Sequence, residues 1–171
     1  MTTAIFLDRD GIINDVVSRS GELSSPRTLS EFKIRDEFIG FYSKLSSLNL
    51  PLFIVSNQPD VARGLLSVDE LQKMTESLRS QFEFSGIHYC LHDNNDNCLC
   101  RKPKSGLLLD IIKQFSFIPK DIVFIGDSWK DVEAGKAAGV RTVFLNTSYN
   151  QHKKPIADFE ISSLFDLISV L

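Results

Sequence analysis

The sequence predicts an α/β fold, a doubly wound, Rossmann-like parallel sheet with helices on both faces, in a single domain over residues 1–171. Three observations carry that expectation. Short apolar runs recur, Ala4-Ile5-Phe6-Leu7, Leu52-Phe53-Ile54-Val55, Ile122-Val123-Phe124-Ile125 and Thr142-Val143-Phe144-Leu145, which is how strands buried on both faces read. Between them lie segments with apolar residues three and four apart, the period of amphipathic helices. The runs also end on polar or acidic residues, at the strand edge where α/β proteins place their chemistry. Strands alternating with helices at these spacings call for parallel pairing through right-handed crossovers. With 43% hydrophobic and 24% charged residues, and no shift in composition along the chain, one core suffices.

In chain order, the first strand stops at Asp8-Arg9-Asp10-Gly11 and delivers two carboxylates to the sheet edge. One such carboxylate can attack while its neighbour moves protons. Their mutual repulsion calls for a cation, or a phosphate-bound metal, to keep both ionised. Taken alone, the same residues also read as an Asp-Gly turn with capping carboxylates. Residues 15–30 are polar and irregular and read as a loop, too short for a separate cap domain. Phe38, Phe41, Tyr42, Leu45 and Leu48 mark a helix that Pro51 ends. The strand from Leu52 runs into Ser56-Asn57-Gln58. Ser67 and Glu70 form a capping box for a helix through Leu71, Met74, Leu78 and Phe82. A third strand covers Ile87 to Leu91. After a Cys/His stretch and Arg101-Lys102-Pro103-Lys104, a helix carries Leu107, Leu108, Ile111, Ile112 and Phe115 on one stripe. The strand ending at Ile125 leads into Gly126-Asp127-Ser128. A helix from Asp131 to Ala138 stops at Gly139, a strand follows over 142–145, and 161–171 reads as a closing helix.

Nineteen Lys and Arg against 22 Asp and Glu give a net charge of -3, so there is no general basic field and nucleic acid is not the expected partner. A local basic cluster remains compatible with a small anion. No apolar run approaches about 18 residues, and the chain enters its first strand without a basic and apolar leader, so a cytoplasmic protein without a membrane partner, and a monomer, is expected. Cys90, Cys98 and Cys100 lie within eleven residues beside His92, which suits a metal in a reducing compartment better than disulfides. Three thiolates and an imidazole complete a tetrahedral Zn²⁺ shell with no open position, as in structural sites. Such a site would pin the loop that carries Arg101 and Lys102. Buried cysteines beside a satisfied histidine are the alternative. His88 and His152 have no such company and read as ordinary residues.

Three strand ends thus gather Asp8 with Asp10, Ser56 with Asn57, and Asp127 with Asp131. Oxygens from Asp8 and Asp127, a carbonyl and waters suit Mg²⁺. The Ser56 hydroxyl and a nearby amide would donate to phosphoryl oxygens, and Lys102 would neutralise the charge spread over them during transfer. Singly, Ser56 is a strand-ending cap and Lys102 a solvated lysine; jointly with the aspartates they form a phosphoryl-transfer site. Arg27, in the loop after the first strand, is a cation able to reach a remote anion of the substrate, or a solvated arginine.

With these residues in order, the chain resembles the haloacid dehalogenase (HAD) superfamily of phosphohydrolases over nearly its whole length. Asp8-Arg-Asp-Gly11 looks like the first motif, Ser56 the second, Lys102 the third, and Gly126-Asp127-Ser128 through Asp131 the fourth. The stretches 6–14, 56–58, 62–64 and 98–103 are similar to D-glycero-D-manno-heptose 1,7-bisphosphate phosphatases and the related histidinol-phosphate phosphatases. The resemblance implies an HAD-like domain, with Asp8 as the nucleophile that forms an aspartyl-phosphate. Asp10 would then be the acid and base, Ser56 and Lys102 would hold the phosphoryl group, and Asp8, the Asp10 carbonyl and Asp127 would bind Mg²⁺. Asn57, Arg101 and Arg27 are the expected substrate contacts, and the substrate a small phosphorylated metabolite. Three departures leave that substrate open: five residues only between His92 and Cys98, Ser128 where a lysine is usual, and Pro59-Asp60-Val61 in place of Ser-Gly-Ile. A heptose bisphosphate leads and histidinol phosphate comes second; a phosphotransferase or a non-catalytic binding module are the other classes.

Overall fold

The computed structural model describes residues 1–151 and 154–171; His152 lies outside the described residues. The apolar runs become strands β1 (Ala4–Leu7), β4 (Leu52–Asn57), β5 (Gly86–Cys90), β6 (Ile122–Gly126) and β7 (Arg141–Leu145), joined by β8 (Phe159–Ile161). Among the described residues they form one parallel sheet in the order β5-β4-β1-β6-β7-β8. The chain winds outward from β1 to β5 on one side, then restarts at β6 and winds out the other way. The switch between β1 and β6 opens a crevice at the strands' carboxyl ends.

Because every central strand is apolar at consecutive positions, both sheet faces bury side chains. Ile5, Leu7, Ile54, Val123 and Ile125 face helix α1 (Asp36–Ser46) through Phe38, Phe41 and Leu45, together with Leu164 and Leu167. Ala4, Phe6, Phe53, Val55 and Phe124 face α3 (Gly106–Phe115) and α4 (Trp129–Ala138) through Leu108, Ile111 and Ala134. Helix α2 (Val68–Gln81) starts where expected, its Ser67 hydroxyl accepting from the Glu70 amide.

Two expectations need correction. The stretch 15–30 is not an irregular loop: Val17–Arg19 (β2) and Glu22–Ser24 (β3) form an antiparallel hairpin, with a 3-10 turn after it at Leu29–Glu31. Its turn is Ser20-Gly21, both with positive φ, and strands of three residues are too short to show an alternation in sequence. The expected closing helix over 161–171 is instead the edge strand β8 and a 3-10 helix, Leu164–Val170. The Thr142 amide and hydroxyl donate to the Asp158 carboxylate at 2.7 and 2.8 Å, laying 159–161 against β7, and Ser163 caps the 3-10 helix.

Candidate active site

The crevice is lined by residues from all three central strand ends. The Asp8 amide donates to the Ile125 carbonyl at 2.9 Å, carrying the β1–β6 pairing one residue past the strand and fixing Asp8 beside the start of the 126–128 turn. Lys102 Nζ donates to Asp8 Oδ1 at 2.8 Å and the Val55 carbonyl at 2.8 Å, and pairs with Asp131 Oδ1 at 2.5 Å, so its three protons are all used. Asp131 turns its other oxygen to the Ser128 amide at 3.0 Å, closing the capping box of α4. Gly126 allows this approach: a Cβ there would sit 2.3 Å from that of Asp131. Asn57 lines the cleft and also bonds the Lys102 backbone with both ends of its amide, at 2.9 and 3.0 Å. It positions the lysine.

Asp10 is held by donors from four parts of the chain. Arg9 Nε and Asn14 Nδ2 donate to Oδ1 at 3.0 and 2.8 Å, and Ser25 Oγ and Gln58 Nε2 donate to Oδ2, each at 2.8 Å. The Gln58 amide also donates to Ser56 Oγ at 3.1 Å, tying Asp10 to Ser56. Arg9 is fully buried, its guanidinium over the rings of Phe32 and Tyr89. Burial alone would raise the Asp10 pKa, but the Arg9 charge and the bonds from Asn14, Ser25 and Gln58 hold it below the ordinary carboxylate value.

Asp8 and Asp127 behave in the opposite way. Burial, with the Asp131 charge next, pushes Asp8 up to about 7; burial and the Asp8 charge push Asp127 up to about 8. Asp8, Asp127 and Asp131 each offer an oxygen within 4.8 Å of the others. Three carboxylates against the one Lys102 ammonium leave two negative charges when all are ionised, the charge a divalent cation would balance. These oxygen donors suit a hard ion such as Mg²⁺. Asp127 is further oriented by two residues that carried no signal in the sequence: Tyr149 Oη donates to its Oδ2 at 2.5 Å, and Asn150 Nδ2 to its carbonyl at 2.8 Å. Gly11, at φ +88°, has Asp127 Oδ2 where a Cβ would be, only 2.0 Å away.

Behind this site, Cys90 at the end of β5 comes together with His92, Cys98 and Cys100. Cys90 Sγ lies 3.2 Å from Cys100 Sγ and 3.7 Å from Cys98 Sγ, and His92 Nδ1 lies 3.3 Å from Cys100 Sγ. Tetrahedral Zn²⁺ with Zn–S near 2.3 Å would set sulfurs about 3.8 Å apart. The cluster fits that ion. Burial pushes the Cys90 thiol up to about 12. His88 is half-buried on β5, as an ordinary residue, and burial lowers its pKa.

A 310 Å³ cleft joins Asp8, Asp10, Ser56, Asn57, Arg101, Lys102 and Asp131, and its rim adds Asp60, Arg63, Ser128 and Lys130. Arg27 reaches it only through Asp60, which its Nε meets at 2.7 Å. A second cleft, of 470 Å³, shares Asp10 and the hairpin residues Leu23 to Ser25 and is walled by Val16, Trp129 and Tyr149.

The family model described as HAD-hydrolase-like matches residues 99–161. A crystal structure of D,D-heptose 1,7-bisphosphate phosphatase from B. bronchiseptica, complexed with magnesium and phosphate, has this fold: TM-score 0.85, 22% identity, covering 99% of this chain and 97% of that one. The D-glycero-beta-D-manno-heptose-1,7-bisphosphate 7-phosphatase of Haemophilus influenzae is 35% identical over 100% of this chain and 97% of its own length. The chain belongs to this heptose-bisphosphate phosphatase family of HAD-type phosphomonoesterases. Within the family, the D-glycero-alpha-D-manno-heptose-1,7-bisphosphate 7-phosphatase of Campylobacter jejuni is 32% identical over 90% of this chain and 86% of its own. Among the described residues of this family member, no helix is long and apolar enough to cross a membrane.

Proposed function

We propose that this chain is a Mg²⁺-dependent phosphatase that removes the 7-phosphate of a D-glycero-D-manno-heptose 1,7-bisphosphate. The observation that carries the reading is the Lys102 ammonium 2.8 Å from Asp8 in a cleft that also holds Ser56 and Asp10. Asp8 Oδ attacks the phosphorus and the P–O bond to the sugar breaks, leaving an aspartyl-phosphate. Asp10 rests as a carboxylate, so it first takes up a proton from solvent and then hands it to the departing alkoxide; it takes the next proton from a water that attacks the acyl-phosphate and releases inorganic phosphate. The Ser56 hydroxyl and Lys102, whose bond to Asp8 passes to the phosphoryl group as Asp8 is esterified, hold the transferring oxygens. Asp8, Asp127 and the Asp10 carbonyl would hold Mg²⁺, which when bound would neutralise charge at the phosphoryl oxygens. Cys90, His92, Cys98 and Cys100 would hold Zn²⁺, which when bound would fix the loop before Lys102.

The Trp129 and Tyr149 wall of the larger cleft favours histidinol phosphate as a second reading, since a flat imidazole stacks on such rings. Phosphate release with Mg²⁺ is measured for both anomers of the heptose bisphosphate, for histidinol phosphate and for common sugar phosphates, and ranked by kcat/KM. A heptose bisphosphate is expected to lead by at least about a hundredfold, and Asp8→Asn to abolish turnover while the protein stays folded. Histidinol phosphate in first place, or turnover by Asp8→Asn, would overturn the reading.

A further inference from the structure

Tyr149 takes no part in the phosphoryl transfer, yet its hydroxyl is committed to the site. Tyr149 Oη donates to Asp127 Oδ2 at 2.5 Å. Gly11 packs against the same bond: a Cβ there would lie 2.0 Å from Asp127 Oδ2 and 2.7 Å from Tyr149 Oη. A phenol and a backbone turn thus close in Oδ2, whereas Asp127 Oδ1 accepts no hydrogen bond among the described residues. The phenol is itself anchored. Asn150, next in the chain, donates through Nδ2 to the Asp127 and Leu145 carbonyls at 2.8 and 2.9 Å, and its Oδ1 accepts from the Thr147 amide at 2.8 Å. The turn that carries Tyr149 is therefore fastened both to the end of β7 and to residue 127. The two oxygens of Asp127 stand in different surroundings, one spoken for by the protein and one open to an ion shared with Asp8.

We propose that Tyr149 is a positioning residue that offers Asp127 to the metal through Oδ1 alone and thereby selects Mg²⁺ over Ca²⁺. This rests on the Mg²⁺ site of the phosphatase reading above and sharpens it. Mg²⁺ demands a near-ideal octahedron, whereas Ca²⁺ accepts about six to eight oxygens in a looser shell and readily takes both oxygens of one carboxylate. With Oδ2 held by the phenol against Gly11, the carboxylate can neither turn nor present its second oxygen. Partners of this outer kind typically govern metal affinity by about 10- to 100-fold.

Tyr149→Phe keeps the ring and removes only the hydroxyl. Mg²⁺ and Ca²⁺ are titrated into the zinc-loaded wild-type and variant chains by calorimetry, and thermal unfolding is followed before either ion is added. Tyr149→Phe is expected to weaken Mg²⁺ and not Ca²⁺, so that the ratio of the two dissociation constants moves toward Ca²⁺ by about 10- to 100-fold. Its Tm without either ion is expected to stay within about two degrees of wild type, because one hydrogen bond of a half-exposed residue is lost. An unchanged ratio, or equal weakening of both ions with a large fall in that Tm, would overturn the selecting role and leave the phosphatase reading standing. A wild-type chain that takes up neither ion would remove the Mg²⁺ reading and this role with it.

Discussion

Lys102 is 2% exposed, and what keeps so buried an ammonium charged is the pair of carboxylates it touches, Asp8 and Asp131. The compensation is incomplete in the other direction: burial raises both Asp8 and Asp127, and the surplus negative charge they share raises them further. The consequence for stability has a definite sign. The folded chain keeps protons on these groups that the unfolded chain releases near pH 4, so their contribution is complete below that pH. It is lost as pH rises through about 7 and 8. Mg²⁺ competes with those protons and reverses the trend. Thermal unfolding with Mg²⁺ and with chelator, from pH 5 to 8.5, is expected to show a difference in Tm that widens with pH by several degrees. A difference that is the same at both ends of the range would mean that these carboxylates do not hold the ion.

Among the elements, the segment from β5 to α3 does most to assemble the site, since it carries the thiol and imidazole cluster and then Arg101 and Lys102 in direct succession. Asn57, at the end of β4, grips the Lys102 backbone from the other side. The lysine is therefore fixed from two elements, and loosening either one would move the group proposed to hold the reacting phosphate. Cys98→Ser is expected to lose bound zinc, measured by metal analysis, and to cut kcat/KM about 10- to 100-fold while Mg²⁺ binding persists. Full activity without zinc would mean that the cluster does not position Lys102. The β2–β3 hairpin acts through Ser25, the residue just past β3, whose hydroxyl reaches Asp10.

At the scale of the whole molecule, we propose that residues 1–171 unfold as one unit, because the same strands supply both cores. Phe53 is fully buried on the α3 face, its ring 5.3 Å from Phe6 and 4.8 Å from Phe115, while its neighbour Ile54 packs into the α1 face. Phe53→Ala is expected to cost about 3–5 kcal/mol. Denaturant unfolding tracked by far-ultraviolet circular dichroism, and by the fluorescence of Trp129 in α4, is expected to give coincident transitions for wild type and variant alike. Separate midpoints would divide the chain into two units.

Much of this was legible in the sequence because the signals are local. Asp8, Asp10, Ser56 and Asp127 each end or closely follow an apolar run, and a run buried on both faces identifies itself by composition alone, while Lys102 is marked by the Cys/His stretch just before it. The Cys/His ligands stand within eleven residues, so their proximity is nearly guaranteed by chain length. The sequence does not carry the partners that approach from a distance. Tyr149 reaches Asp127 from a loop with no pattern of its own. Asn57 bonds a backbone 45 residues away, and Arg27 is drawn to Asp60. The edge strand β8 exists because Asp158 meets Thr142. Local chemistry and periodicity thus determined the fold class and gathered the candidate site residues, while the role of each came from the family resemblance. Which polar groups stay free to meet a ligand was decided only by tertiary packing, since a side chain's hydrogen-bonding capacity is finite and the nearest partner in space takes it first.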